Sequence, residues 1–370
     1  MNTKEPKRLP YGNANFQSIR TENNYVYIDK TRFIELLEKE SNKNKIFIRP
    51  RRFGKSLFLS TLMYYYDINY AEEFEQLFGD LYIGQHPTPR KNSYAVMAFN
   101  FSGIDTVSVD GFRNSFCENI RHTVCRFLGE HENIFPKSDQ IIDQINDRKY
   151  PALAALDWSF RIAQLAKIKI FVIIDEYDHF ANDLIAMGSV LGEDFYKKVI
   201  TANGLVRDFY EKLKTATDNG IVDQTFITGI SPVMLDDLTS GYNIVTNYTL
   251  DLQYNDMLGF TDEEVKVLMD AVGIEASQID IDMEYYYNGY RFNAEGENKV
   301  YNSSMILYFF DQILKTGKSP KDLIDPNLSI DPSRLKRLAK NEKNRNILIQ
   351  IIKDGGIVSR ILEKFSIDRL

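Results

Sequence analysis

Three observations indicate that this sequence folds as an α/β domain built around a parallel sheet. Apolar runs of strand length recur along the chain, at 46–48, 94–101, 168–174 and 224–230. Segments with helical spacing of apolar residues separate these runs, and this alternation is typical of a parallel sheet. The run at 168–174, IKIFVII, is apolar throughout, as expected for a strand covered on both faces.

Composition narrows the function classes. The 370 residues, 44% of them hydrophobic, are enough for two structural units. A formal charge of −7, from 45 basic and 52 acidic side chains, gives no general support for nucleic-acid or membrane binding, although a local basic groove stays open. The two cysteines, Cys117 and Cys125, fall in one predicted amphipathic helix, so no disulfide framework is expected. An N-terminus without an apolar signal core predicts a cytoplasmic protein without membrane spans.

The N-terminal 44 residues read as an irregular lead-in followed by a helix. Asp29 is the predicted N-cap of a helix over 30–39, whose apolar face carries Phe33, Ile34 and Leu37. The polar stretch SNKN at 41–44 then ends this helix before the first strand.

The stretch at 45–67, KIFIRPRRFGKSLFLSTLMYYYD, has the order strand, tight loop and helix. Gly54, Lys55 and Ser56 close the loop, and Leu57 begins an apolar segment with helical spacing. This order is typical of a phosphate-binding P-loop, whose backbone N–H groups face phosphate oxygens. Lys55 would reach the β- and γ-phosphates, and the Ser56 hydroxyl would hold Mg²⁺.

The loop departs from the pattern GxxxxGK[ST] at its first position, where Arg49 stands in place of glycine. Arg49, Arg51 and Arg52 crowd the loop, and arginine makes bidentate contacts with phosphate. We expect one of the three to contact phosphate, and the sequence does not distinguish which. The alternative is a solvated basic loop or ion pairs with nearby carboxylates.

Three helices are predicted around the third strand, two before it and one after it. Asp110 is the predicted cap of a helix whose phenylalanines and aliphatic residues repeat every three or four positions. Further helices are expected at 152–167 and 193–217.

Two acidic residues, Asp175 and Glu176, follow the apolar run directly. Side chains at the carboxyl end of a parallel strand face the ligand site. Asp175 there would hold Mg²⁺, and Glu176 would polarise a water toward the γ-phosphate. The alternative is a buried strand ending in a solvated acidic turn, but the GKS loop upstream favours a nucleotide site. A strand predicted between the two motifs suits P-loop ATPases in which another strand separates them.

The next strand ends in Thr228, and Ser231 follows in the turn. Either residue would be placed to sense the γ-phosphate, and ordinary strand and turn chemistry explains them equally well. The four histidines show no metal-ligand spacing except in Asp175-x-x-Asp178-His179, which is more typical of an acidic turn than of a metal site.

Together these motifs resemble the bacterial AAA-ATPase-like proteins, in which the P-loop module is often followed by a PD-(D/E)XK-type nuclease domain. The resemblance spans residues 9 to about 310. Seven strings carry it: LPYG (9–12), YIDKT (27–31), RPRRFGKS (49–56), IDEYD (174–178), FITG (226–229), YNGYRF (287–292) and VYN (300–302). The arginine in place of the first glycine is similar to that family's usual loop. No PD…(D/E)xK pattern occurs, so no nuclease is expected of these residues.

The resemblance implies ATP and Mg²⁺ as cofactors. It implies a nucleotide site formed by Arg52, Phe53, Gly54, Lys55, Ser56, Leu57, Thr228 and Arg291. Ser56 and Asp175 would be the metal ligands, and Lys55 and Glu176 the catalytic residues.

The role predicted for Arg291 depends on its position in the chain, after the α/β core. The segment YYYNGYRF at 285–292 is very aromatic, and Asn288-Gly289 predicts a tight turn that packs Tyr287 and Tyr290 on the core. AAA-like proteins often carry an arginine after the core that reaches back to the γ-phosphate. The alternative is a structural Arg291 stacked on tyrosines and paired with a carboxylate.

We therefore predict an α/β P-loop NTPase of the AAA-like class, with the core at 1–255 and a mainly helical, lid-like region at 256–370. The predicted function is a Mg²⁺-dependent ATPase that acts as a nucleotide-driven switch. Two alternatives stay open: a regulatory module that binds ATP with negligible turnover, and the ATPase part of a nucleic-acid-processing system. A protein partner or a homo-oligomer is also left open.

Overall fold

The computed structural model of the chain describes residues 5–22, 24–148, 150–186, 190–200, 204–234, 242–287, 289–326, 339 and 342–354. In these residues a single sheet is formed by β1 (Asn44–Ile48), β2 (Tyr94–Asn100), β3 (Lys169–Asp175), β4 (Val222–Gly229) and β5 (Thr246–Asn247). All pairings are parallel, in the order β2-β3-β4-β1-β5. The predicted parallel α/β fold is confirmed, and β5, with two residues, is the strand that the sequence did not indicate.

The strand order places the two motif-bearing strands close together. β4 lies between β1 and β3, with Ile46 opposite Ile227 and Ile227 opposite Ile174. A strand does separate the two motif strands, as expected, but it is not the one that lies between them in sequence. That strand, β2, pairs with the far side of β3. The carboxyl ends of β1, β3 and β4 therefore meet at one edge of the sheet.

The helices up to position 218 cover both faces of the sheet, and those from position 262 onward lie in the C-terminal region. In chain order they are α1 (Phe16–Thr21), α2 (Arg32–Lys39), α3 (Lys55–Tyr66), α4 (Phe74–Phe78), α5 (Tyr82–Gln85), α6 (Val109–Glu130), α7 (Ser138–Asn146), α8 (Ala152–Ala166), α9 (His179–Ala186), α10 (Val190–Ile200), α11 (Leu205–Asp218), α12 (Asp262–Val272), α13 (Met283–Tyr287), α14 (Ser303–Thr316) and α15 (Glu342–Asp354).

Alternate residues of each strand enter two different cores, because successive side chains in a strand point to opposite faces. Val172 and Ile174 of β3 pack with helices α6 to α11, whereas Phe171 and Ile173 pack with helices α1 to α5. This two-sided burial explains why the β3 sequence is apolar at nearly every position.

Two local predictions about helix starts are wrong. The helix expected at 30–39 begins at Arg32, because the Asp29 carboxylate accepts hydrogen bonds from the Thr31 N–H (2.8 Å) and hydroxyl (2.6 Å) and so closes a turn before the helix. Asp110 lies in the first turn of α6, and Ser108 is the N-cap, accepting from the Gly111 N–H at 3.0 Å.

The segment 193–217, predicted to be helical, contains parts of two helices, α10 and α11. Gly204 is the N-cap of α11, and a Cβ at that position would lie 2.3 Å from the Val199 carbonyl oxygen. A glycine is needed there because the chain turns back closely on the end of α10.

The C-terminal region is mainly helical as far as it is described, and its core includes part of the lead-in. α12 begins with a capping box, in which Thr261 and Glu264 exchange hydrogen bonds. Val26 of the lead-in is buried among residues of α12 and α14. Within the described residues no helix has the length and apolarity needed to span a bilayer.

Candidate functional site

The loop between β1 and α3 turns sharply just before the helix begins. Gly54 is the N-cap of α3 with a φ of 87°, in the left-handed region where glycine is favoured. Arg52 also has a positive φ, of 70°. Two left-handed residues within three positions turn the loop sharply onto the start of the helix, so that the N–H groups of the first turn face the loop.

Lys55 lies buried inside this loop. Its ammonium group donates hydrogen bonds to the Arg49 and Pro50 carbonyl oxygens, both at 3.0 Å. Burial lowers the pKa of Lys55, while the nearby Glu176 and Asp175 carboxylates raise it in part. The Lys55 ammonium group therefore lies inside the loop. Its contact with phosphate stays a prediction.

Asp175 joins three elements at the carboxyl edge of the sheet. One of its carboxylate oxygens accepts from the Ser56 hydroxyl at 2.8 Å, and the other accepts from the Thr228 hydroxyl at 2.7 Å. The Glu176 N–H adds a third hydrogen bond, at 2.9 Å. Hydroxyl and carboxylate oxygens are the hard donors that Mg²⁺ prefers, and Mg²⁺ keeps several waters beside one or two protein ligands. The donor set of Ser56 and Asp175 therefore fits Mg²⁺, and the metal role stays a prediction.

Glu176 is held in an uncommon backbone conformation, with a φ of 54°. Its carboxylate lies 3.6 Å from His179 Nδ1, and His179 Nε2 lies 3.6 Å from the Asp183 carboxylate. The interaction with His179 lowers the pKa of Glu176, and the positive charge of Lys55 lowers it further. Burial acts in the opposite direction. Glu176 therefore stays ionised, as a general base requires. The sequence pattern assigned His179 to an acidic turn and did not predict its contact with Glu176, for which the only local signal is the spacing of three residues.

Asp178 fixes the turn that follows β4. Its carboxylate accepts from the N–H groups of Ile230 (3.1 Å) and Ser231 (2.7 Å) and from the Ser231 hydroxyl (2.9 Å). Burial raises the pKa of Asp178, and these hydrogen bonds oppose the rise. Ser231 therefore belongs to a structural network. Among the described residues no group of three or more histidine, cysteine or carboxylate side chains is arranged to hold a metal ion.

A cavity of about 440 Å³ opens beside the loop. Its walls come from four parts of the chain: the lead-in (10, 12–14, 26–28 and 30), the loop and α3 (51–58), the ends of β2 and β3 (102, 176 and 179), and the C-terminal region (257–260, 268, 303, 304 and 307). Apolar walls with a few polar groups are typical of small-molecule sites. The loop residues that the sequence predicted to bind phosphate form one part of this wall. The strings at 9–12 and 27–31 supported only a resemblance, and the structure places most of their residues in the wall.

Arg49 is excluded as the phosphate-contacting arginine. Its guanidinium is fully buried and donates to the carbonyl oxygens of Thr249 (2.6 Å), Tyr254 (2.9 Å) and Ile48 (3.0 Å). It also stacks on the Phe292 ring at 3.8 Å. Burial lowers the pKa of Arg49 to about 9, so the group is still charged at pH 7. Arg51 and Arg52 are exposed and line the cavity, which narrows the expected phosphate contact to these two.

Comparison with known proteins agrees with this geometry. The family described as "Predicted AAA-ATPase" (AAA-ATPase-like) matches residues 10–239. The chain belongs to the AAA-ATPase-like family. The match includes the loop, Asp175 and Thr228, and it ends before the segment at 287–292.

A curated relative of this AAA-ATPase-like chain is itself uncharacterised. The "Uncharacterized protein in vnfD 5'region" of Azotobacter chroococcum mcd 1 is 26% identical over 323 residues, which is 83% of this chain and 52% of that protein. The chain thus spans about half the length of the relative. The family match gives no evidence of a nuclease domain in this chain.

Arg291 lies outside the cavity wall. Tyr290 and Phe292 both place their rings edge-on to Phe53, at centroid distances of 4.7 and 5.6 Å. Arg291, between these two rings in sequence, is exposed. No carboxylate in the described part of the chain pairs with it. Tyr287 is buried, as expected, whereas Asn288 of the predicted tight turn lies outside the described residues.

Proposed function

We propose that this AAA-ATPase-like chain binds ATP with Mg²⁺ and hydrolyses it as a nucleotide-driven switch. The observation that carries the proposal is the 2.8 Å hydrogen bond between the Ser56 hydroxyl and Asp175. Residues 119 positions apart meet at the start of α3, where a P-loop protein needs its metal ligands. The family to which the chain belongs and the cavity beside the loop also support the proposal.

The loop residues would divide the work of binding. Backbone N–H groups from Arg52 to Leu57 would face the phosphates, Lys55 would reach the β- and γ-phosphates, and Phe53 would hold the loop against the C-terminal region. Bound Mg²⁺ would offset the negative charge of the phosphates. The apolar walls from the lead-in and α12 would surround the nucleoside.

Glu176 is the proposed general base. Its carboxylate would accept a proton from the attacking water as the water oxygen bonds to the γ-phosphorus and the bond to the leaving oxygen breaks. His179 lies next to Glu176, and Asp183 lies next to His179. The two residues would fix the direction of the Glu176 carboxylate. Thr228 would hold Asp175 through their 2.7 Å hydrogen bond, with any γ-phosphate contact being secondary.

A regulatory module with negligible turnover is the second candidate. The observation that favours it is the pairing of Glu176 with His179, since a carboxylate held by a histidine is less free to orient water. The nuclease-linked alternative rests on resemblance alone, and we do not propose it.

Replacement of Lys55 tests binding. Lys55→Ala should weaken MgATP binding by about 10- to 100-fold, because a charge-assisted hydrogen bond contributes about 1.5–3 kcal/mol. Calorimetric titration compares it with the wild type and with Lys212→Ala, which removes a lysine paired with Asp157. Circular dichroism confirms that each variant is folded. Equal affinities of wild type and Lys55→Ala would disprove the assignment.

A further inference from the structure

The carbonyl groups of the phosphate loop are bound by the C-terminal region. Three consecutive loop carbonyl oxygens accept hydrogen bonds from residues more than 200 positions away. The pairs are the Asn302 side-chain amide to Arg51 (3.0 Å), the Ser304 N–H to Arg52 (3.1 Å) and the Gly259 N–H to Phe53 (3.1 Å).

These contacts fix the direction of the loop N–H groups. In a trans peptide the C=O and N–H bonds point in opposite directions. Carbonyls turned toward the C-terminal region therefore turn the N–H groups of Arg52, Phe53 and Gly54 away from it. Those three N–H groups have no acceptor among the described residues. A row of free N–H groups in a left-handed turn is the arrangement that binds an anion.

Arg49 makes a second connection at the beginning of the loop. It occupies the position where the general motif has glycine, and its guanidinium binds the carbonyl groups of Thr249 and Tyr254. The same guanidinium stacks on Phe292. The side chain thus ties the loop to the segment that leads into the C-terminal region and to that region itself.

Gly259 makes the close approach sterically feasible. Its φ is 91°, and a Cβ there would lie 2.8 Å from the Tyr301 carbonyl oxygen and 3.1 Å from the Phe53 ring. The loop and the C-terminal region therefore meet as fitted surfaces, and a shift of one disturbs the other.

We propose that Asn302 and Arg49 are positioning residues of the phosphate loop, through which the C-terminal region sets nucleotide affinity. When this region is docked, its hydrogen bonds hold the loop N–H groups toward phosphate. When it shifts, the carbonyls are released and the loop loses that orientation. Linkage then requires the reverse effect, so that bound nucleotide stabilises the docked C-terminal region. The affinity part of this inference rests on the proposed function.

Asn302→Ser separates the loop contact from the helix cap. The Asn302 side-chain oxygen caps α14 by accepting from the Met305 N–H, while its amide donates to the Arg51 carbonyl. Serine is an equally good N-cap and adds no charge. Its side chain is too short to reach the Arg51 carbonyl oxygen and has no amide group to donate to it. Asn15→Ser is the matched control, because Asn15 caps α1 in the same way through the Ser18 N–H.

Two measurements decide the proposal. Calorimetric titration with MgATP should show affinity about tenfold lower for Asn302→Ser than for the wild type, at nearly equal melting temperature. Without nucleotide, trypsin should cut Asn302→Ser faster after Arg51 and Arg52, both exposed in the loop, with the fragments identified by mass spectrometry. Asn15→Ser should match the wild type in both.

The outcomes separate this inference from the proposed function. If the wild type binds MgATP and Asn302→Ser matches it in affinity and in cleavage, the positioning role is wrong. If the wild type does not bind MgATP, the proposed function fails, and the cleavage rates alone decide whether the C-terminal region holds the loop. Should Asn302→Ser not fold, the wild type supplies the reverse test. MgATP should slow cleavage after the exposed Arg291, and an unchanged rate would overturn the coupling.

Discussion

At the scale of single residues, Asp175 and Glu176 differ in how they are held. Asp175 receives three hydrogen bonds, whereas Glu176 faces a histidine at 3.6 Å. Glu176→Gln should retain MgATP and slow hydrolysis by about 10²- to 10⁴-fold, the usual contribution of a general base. Asp175→Asn should also weaken Mg²⁺-dependent binding. Phosphate release and calorimetry with and without Mg²⁺ measure the two effects.

The same pair of variants distinguishes the two candidate functions. Hydrolysis at the wild-type rate by Glu176→Gln would mean that Glu176 is not the base. If the wild type and the variant both bind ATP and neither releases phosphate, with or without candidate partners, the regulatory module becomes the better account.

A buried ion pair far from the cavity predicts a pH effect on stability. Fully buried His131 donates from Nδ1 to the Phe127 carbonyl oxygen (2.7 Å) and from Nε2 to Asp67 (3.1 Å), so both nitrogens carry protons. Burial opposes the charge, but the Asp67 hydrogen bond and charge outweigh it, and the pKa of His131 is raised. The stabilisation is therefore complete below the unfolded pKa of about 6.5 and is lost as pH rises through the folded pKa.

Urea unfolding of the wild type and His131→Gln tests this effect. The difference in the free energy of unfolding between the two should shrink as pH rises above the unfolded pKa of about 6.5 and through the raised folded pKa, because only the wild type loses the histidine proton. Asp67→Asn should remove most of the pH dependence. A difference that is constant across this range would mean that His131 is neutral in the folded protein.

At the scale of elements, the sequence predicted those whose signal is local. The apolar runs of β1 to β4 are buried on both faces, so their composition identified them. The GKS and DE motifs identified Ser56 and Asp175, which the structure brings together. β5 was missed because two residues carry no periodicity. The division of 193–217 into α10 and α11 was missed because the need for Gly204 depends on Val199, which approaches it only in the fold.

The rest of the site was beyond local reasoning because its contacts join distant residues. Arg49 was considered for phosphate, and it binds Thr249 and Tyr254, 200 and 205 positions away. Nothing within the loop sequence reveals those carbonyl groups.

The turn before α12 provides a prediction at this scale. Gly259→Ala should lower the free energy of unfolding by about 2–4 kcal/mol, because the left-handed φ costs about 1–2 kcal/mol and the contact with Tyr301 adds strain. Gly317→Ala is the matched control, since Gly317 has a φ of 76° and nothing within 4 Å of an added Cβ. Urea unfolding should show the smaller loss for Gly317→Ala, and equal losses would mean that the tight contact is unimportant.

At the scale of the whole molecule, the lead-in and the C-terminal region both contribute walls of the cavity. Buried Lys30 of the lead-in donates to the Asp256 carbonyl oxygen (2.8 Å) and to Glu264 of α12 (2.6 Å). Burial lowers the pKa of Lys30, and Glu264 opposes the change. Val26 packs in the same C-terminal core. A shift of the C-terminal region would therefore change both the nucleoside wall and the phosphate loop.

Arg291 tests whether that region senses the γ-phosphate. Its neighbours Tyr290 and Phe292 pack on Phe53 of the loop, so a change in the loop reaches Arg291 directly. In the structure Arg291 is exposed and does not line the cavity, so sensing requires the segment to move when ATP binds. Arg291→Ala should then lose the preference for ATP over ADP, as measured by calorimetry. Its melting temperature should hardly change, because an exposed substitution costs within about 0.5 kcal/mol.

Lys299→Ala is the control for this experiment, since Lys299 is an exposed cation of the same region, 3.6 Å from Glu284. It should keep both the ATP-to-ADP ratio and the melting temperature. A large fall in melting temperature for Arg291→Ala, with the ratio intact, would assign Arg291 to the scaffold. A ratio that falls equally in both variants would trace the preference to the net positive charge of the region, because both substitutions remove one positive charge and only one removes the guanidinium.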